Sequence, residues 1–141
     1  KALMNEAVQK RGSVETAYFS VTGTDDEVVP FVNENNWRTN AFFCAWTAYQ
    51  TMNGMEVSSR PDFSKDATFG IALKDREVIS TNKRVTMEAG VLYKGNIPLI
   101  KVVAVNDYGH WNFKPDARLM WDFMKQFSRD PRTKKLVYGK R

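Results

Sequence analysis

Pro98-Leu99-Ile100-Lys101-Val102-Val103-Ala104-Val105 is nearly continuous in apolar residues. A strand of that kind is stable only where both faces are covered, as in the middle of a helix-flanked sheet. It is the second arm of a hairpin: residues 85–93 and 97–105 are β-rich runs joined by Lys94-Gly95-Asn96, and a short Gly-containing connection between such runs is a hairpin signal. The strand delivers the chain into Asn106-Asp107-Tyr108-Gly109-His110-Trp111, which holds the only histidine of the sequence. A buried central strand with a histidine loop at its carboxyl end is therefore the fixed point of the fold.

A second strand-and-loop pair lies far upstream. Residues 15–22 (Glu-Thr-Ala-Tyr-Phe-Ser-Val-Thr) are rich in β-branched and aromatic side chains and read as a buried strand ended by Gly23. Asp25 and Asp26 follow in the loop just past its carboxyl end, where open α/β sheets place ligand and catalytic groups. From residue 33 to 52, Trp37, Ala41, Ala45, Ala48 and Met52 recur at helical spacing, predicting one long helix with Asn33 as N-cap and Asn53-Gly54 as its stop.

The remaining segments are read the same way. Residues 1–11 predict a helix stopped by Gly12; its uncapped start suggests a piece of a longer chain. Residues 55–66 read as a surface connection, and 68–73 and 77–81 as short strands. After the histidine loop, Pro115 suits a first helical position, and Leu119, Met120, Phe123, Met124 and Phe127 make a stripe ending before Asp130-Pro131. The expected organisation is one α/β domain over residues 1–128 and a loosely held basic tail over 129–141.

Composition narrows the function classes. No apolar run approaches the about 20 residues needed to cross a bilayer, and no charged-then-apolar secretory segment opens the chain. The single cysteine, Cys44, rules out an internal disulfide and a cysteine-rich zinc site, and its neighbours Phe42, Phe43, Ala45 and Trp46 predict that it packs as a small hydrophobe. The net charge of +5 permits a nucleic-acid partner. Much of the excess follows the last helix, at Arg129, Arg132, Lys134, Lys135, Lys140 and Arg141, where a solvated tail is the expected reading. Neither a nucleic-acid partner, a membrane, a metal nor a cofactor is expected.

The two loops offer a carboxylate and an imidazole. A general base for serine activation is an imidazole held in one tautomer by a buried acceptor. Asp26 and His110 stand 84 residues apart, so they meet only through the sheet, and two adjacent strands with loops at the same edge would bring them together. The competing role for Asp26 is capping its own turn, the competing acid is Asp25, and the alternatives for His110 are a surface loop or a satisfied core imidazole.

Strand, acid loop, helix, then strand, histidine loop, helix resembles the carboxyl-terminal half of the α/β-hydrolase arrangement, whose triad runs Ser, Asp or Glu, His. Gly23-Thr24-Asp25-Asp26-Glu27-Val28-Val29-Pro30 resembles the Gly-x-x-Asp-x-x-Val-Pro acid loop of these enzymes, and the aligned acid is Asp26. Tyr108-Gly109-His110-Trp111 resembles their histidine loop, the Trp after His being similar to the polyhydroxybutyrate-depolymerase-like and feruloyl-esterase-like branch. The resemblance covers most of residues 15–128. It implies an α/β fold forming the C-terminal half of a hydrolase sheet, completed by a missing N-terminal half, with Asp26 and His110 as catalytic acid and base.

The nucleophile departs from that pattern. Ser13, Ser20, Ser58, Ser59, Ser64, Ser80 and Ser128 all lack Gly two residues before them, so no Gly-x-Ser-x-Gly elbow is present. The expectation is a serine carboxyl-ester hydrolase whose serine and oxyanion hole lie on an N-terminal portion in a separate chain. Its substrate would be an aromatic (feruloyl or cinnamoyl) or polyester-type ester. The alternatives are a non-catalytic module of the same shape and a peptidase. Trp111, Phe113 and Trp37 are the candidate substrate contacts, with core packing as the competing reading for Trp37 and Trp46. The length between the loops is expected to place an elaboration, residues 55–93, near the site.

Overall fold

In the computed structural model, residues 2–81, 85–111 and 114–139 are described. Strand β4 (Ile97–Val105) lies inside a four-stranded mixed sheet of order β1-β4-β3-β2, with β1 at Tyr18–Gly23, β2 at Lys74–Ser80 and β3 at Thr86–Lys94. β1 runs parallel to β4, in register from Tyr18 opposite Ile100 to Gly23 opposite Val105. β3 is antiparallel to both β4 and β2. The β3–β4 turn reduces to Gly95-Asn96, and Gly95 at φ 58° supplies the left-handed conformation that lets a two-residue turn follow the strand twist.

The apolar run of β4 divides between two faces. Ile100, Val102 and Ala104 join Trp46, Phe43, Phe69 and Ile71 on one side; Val103 and Val105 join Met87 and Ala89 on the other, with Phe19, Val21 and Leu119 packed against them. Helix α2 (Ala41–Met52) covers the first face, and α3 (Lys114–Met124) the second, through Leu119 and the contact of Phe123 with Phe19. Helix α1 (Ala2–Arg11) lies against α2 and ends at Gly12, φ 78°. The fold is thus a mixed α/β sheet with flanking helices.

The helix predicted with Asn33 as its N-cap starts seven residues later. Asn40 is the N-cap: its Oδ1 accepts from Phe42 and Phe43 N–H at 3.1 and 3.0 Å, and its Nδ2 donates to Pro30 O at 2.7 Å. Asn33 closes a local turn instead, accepting from Asn35 and Asn36 N–H while its own N–H donates to Asn36. Asn side chains compete with helix by bonding nearby backbone, and this cluster stops the helix from propagating back. The buried stripe of α2 is Phe43, Trp46, Thr47 and Gln50, not the predicted one. Its polar members are satisfied, Thr47 by Phe43 O and Gln50 by Ser58. Cys44 falls off that stripe and is exposed, contrary to its expected packing. We expect Asn40→Ala to cost about 1–2 kcal/mol in urea denaturation, because it removes the cap and releases the chain at Pro30.

Three further expectations are corrected. Residues 68–73 form no strand: Asp66 Oδ1 accepts from Thr68 and Phe69 N–H, folding a turn that drops Phe69 into the core. The 77–81 prediction falls largely within β2. Helix α3 begins at Lys114, with Pro115 second, and ends at Met124; Met120 and Met124 of its predicted stripe are exposed. Residues 127–138 are not a loose tail but a hairpin, β5 (Phe127–Arg129) against β6 (Leu136–Tyr138). Phe127 and Leu136 pack against the core, and the Arg129 guanidinium donates to Glu15 O, Thr16 Oγ1 and Lys134 O.

Candidate active site

Parallel pairing of β1 with β4 brings the acid loop and the histidine loop out at one edge of the sheet. Backbone groups then stitch them together. Thr24 N–H donates to Val105 O at 3.0 Å, Asp25 N–H to Tyr108 O at 3.1 Å, and Asp107 N–H to Thr24 Oγ1 at 2.9 Å. Gly23 permits this approach, since a Cβ there would stand 1.9 Å from Tyr108 O. Main chain makes most of these contacts, with the Thr24 hydroxyl as the one side-chain acceptor among the three.

Asp26 is the buried member. Its Oδ1 accepts from Val28 and Val29 N–H at 2.9 and 2.8 Å, and its Oδ2 faces His110 Nδ1 at 2.8 Å. The structure therefore gives Asp26 both roles weighed for it, turn capping through one oxygen and imidazole contact through the other. Asp25 is exposed, and its backbone N–H serves the loop contact. The Asp26 side chain is 6% exposed and that of His110 55%. Burial pushes the Asp26 carboxyl up, but the Val29 N–H, His110 and the Val28 N–H together outweigh it and hold the group below its ordinary value. Against an ionised carboxylate Nδ1 must carry the proton, which leaves Nε2 with the lone pair that a general base requires.

The sign of the acid dependence follows. A carboxyl with a lowered folded pKa favours the native state above its unfolded value, and that contribution disappears as pH falls from the ordinary 3.8 through the lower folded value. We expect the downfield Nδ1–H proton of the single histidine to persist at pH 4 and to fade below it. Asp26→Asn should remove that acid limb.

The pair opens into a cleft of about 410 Å³. Val21, Val29, Phe42, Val105 and Trp111 give it apolar walls, and Asp26, Tyr108, His110 and Asp116 also line it. Of the aromatic residues singled out in the sequence, Trp111 is at this cleft and 83% exposed. Trp37 is not among its lining residues: it packs edge-on to Phe43, centroids 5.8 Å apart, at a separate depression with Arg60 and Phe63. Phe113 lies outside the described residues. Among the described residues none from 55–93 lines the cleft; that segment instead supplies β2, β3 and the turns that carry Phe69 and Ile71 into the core.

Phe42, Tyr108 and Asp116 were not picked out by sequence reasoning. Tyr108 lay within the quoted loop, two positions before His110; Phe42 and Asp116 sit in first turns of helices following the two loops, a position that could have flagged them. Among the described residues lining the cleft there is no serine and no cysteine, and no group of three or more His, Cys, Asp or Glu is placed to hold a metal ion. Chemically, the arrangement is an oriented base beside an apolar-walled cleft, able to take a proton from a hydroxyl brought to Nε2. Comparison of the chain with family models, curated proteins and solved structures returned no match.

Proposed function

We propose that this chain supplies the acid and base of a serine carboxyl-ester hydrolase, as the C-terminal half of an α/β-hydrolase sheet, the nucleophile coming from an N-terminal portion on a separate chain. The observation that carries the reading is the 2.8 Å contact of His110 Nδ1 with a buried, doubly N–H-bonded Asp26, formed at the ends of adjacent parallel strands. His110 Nε2 accepts the serine proton as Oγ attacks the ester carbonyl carbon. The proton then passes to the departing alcohol oxygen, and water, deprotonated by the same nitrogen, releases the acid. Asp26 steadies the imidazolium in both steps. The apolar walls and Trp111 suit an aromatic or polyester-type acyl group.

The two sheet edges support an incomplete sheet. β2 carries Lys74, Asp75, Arg76 and Glu77 and a register shift between Lys74 and Glu77, devices that discourage further pairing. β1 (Tyr-Phe-Ser-Val-Thr-Gly) has no charge, proline or register shift, and no strand pairs with its outer side among the described residues. In the assembled protein, aryl and cinnamoyl esters should turn over at enzyme rates, while the 141-residue chain alone should not exceed free imidazole. Enzyme-rate hydrolysis by the chain alone, or none by the assembly, contradicts the proposal.

The lack of a serine or cysteine among the described residues lining the cleft also favours a second reading, a non-catalytic module of the same shape that binds an aromatic or carbohydrate ligand. Saturable ligand binding by the whole protein without turnover would select it.

A further inference from the structure

The charges of the cleft run against those of the chain. The sequence carries a net +5, yet the acidic and basic side chains lining the cleft are Asp26, His110 and Asp116, with no lysine or arginine among the described lining residues. Asp26 is answered by His110 and two backbone N–H groups. Asp116 is not answered in that way. Of the cations of α3 and the residue after it, Arg118 and Lys125 turn to Asp122 and Lys114 forms no ion pair with Asp116 among the described residues, while burial pushes the Asp116 carboxyl up, only partly offset by the adjacent Ala117 N–H. A half-buried carboxylate without a countercharge projects its field into the cavity beside it, because low-dielectric walls screen it poorly. The exposed acids Asp25 and Glu27 on the acid loop add the same sign.

From this placement we propose that Asp116 is the charge-selecting residue of the cleft, admitting neutral and cationic aromatic ligands and rejecting those that carry a carboxylate. The inference rests on the proposed hydrolase site for its catalytic meaning, but its binding content is separate. The ordinary role of an acid in the first turn of a helix is to complement the helix dipole. That role would affect all ligands alike, so discrimination by ligand charge distinguishes the two.

The test uses the 141-residue chain, whose single histidine gives one imidazole spin system for NMR titration. Probes are 3-phenylpropionamide, 3-phenylpropylamine and 3-phenylpropionate at pH 8, above the ordinary imidazole range. The carboxylate should bind about tenfold more weakly than the amide, and the amine at least as well as the amide. In Asp116→Asn the carboxylate should come within about threefold of the amide, with the amide affinity unchanged. Asp116→Ser, which keeps a small oxygen acceptor in the first turn of α3, should behave the same and serves if the first variant unfolds. Equal affinities for the three probes, no binding of any, or full discrimination retained in both variants overturns the proposal. In the assembled hydrolase, turnover that ignores substrate charge but needs His110 would sink this inference alone. Charge selection by Asp116 without any ester turnover would sink the hydrolase reading alone.

Discussion

Replacing His110 with alanine should lower kcat for ester hydrolysis by the assembled protein about 10,000-fold, with KM little changed. The chain has no second histidine to take over, and Nε2 is the nitrogen left available by the Asp26 contact. Asp26→Asn should approach the same loss, because an amide facing Nδ1 can donate as well as accept and so permits the wrong tautomer. It also leaves the Val28 and Val29 N–H groups with an acceptor, so the fold should survive. The double variant should be no slower than His110→Ala by more than about threefold, since groups acting as one unit are not additive. Steady-state kinetics on a chromogenic aryl ester reads all three. Losses below tenfold in both single variants would remove the pair from the chemistry.

Gly23→Ala should unfold or strongly destabilise the site, by about 3 kcal/mol or more. The added Cβ would stand 1.9 Å from Tyr108 O and 2.6 Å from Tyr108 C. Backbone is what it meets, so no side chain can swing aside. Relief requires the histidine loop to lift away, which breaks the Asp25 N–H to Tyr108 O bond and separates Asp26 from His110. The expected signature is a lower denaturation midpoint together with loss of the downfield Nδ1–H proton. Gly139, where an added Cβ meets nothing within 4 Å, is the control: Gly139→Ala should change stability by no more than about 0.5 kcal/mol. A Gly23→Ala protein as stable as the control would mean that the loops are not held as close as described.

The strands that position the pair were legible because their signals are local and strong. The run 98–105 could only be central, and the hairpin before it follows from Gly95 between two β-rich arms. The juxtaposition of Asp26 and His110 was legible as well, since adjacent strands with loops at the same end join residues 84 apart. The start of α2 was not, because Trp37 and Ala41 continue an apolar period that the Asn33–Asn36 turn interrupts. Its buried face was missed for a related reason: Thr47 and Gln50 are polar by type yet satisfied inside by Phe43 O and Ser58. The terminal hairpin was hidden by its charge, and Arg129 shows how: a side chain read as solvated reaches back over 114 residues to the Glu15 carbonyl. Phe42 and Asp116 enter the cleft from the first turns of the helices that follow the two loops, a place legible in the chain order, although their facing the cleft is a tertiary relation.

Fluorophosphonate labelling of the assembled protein, followed by peptide mass spectrometry, tests the central claim most directly. The reagent bonds covalently to a serine only where a neighbouring base activates it. The expected result is one labelled serine on a polypeptide outside residues 1–141, with labelling abolished in His110→Ala. Labelling of Ser13, Ser20, Ser58, Ser59, Ser64, Ser80 or Ser128, labelling indifferent to His110, or no labelled serine at all would contradict the assignment of Asp26 and His110 as the acid and base of a serine hydrolase.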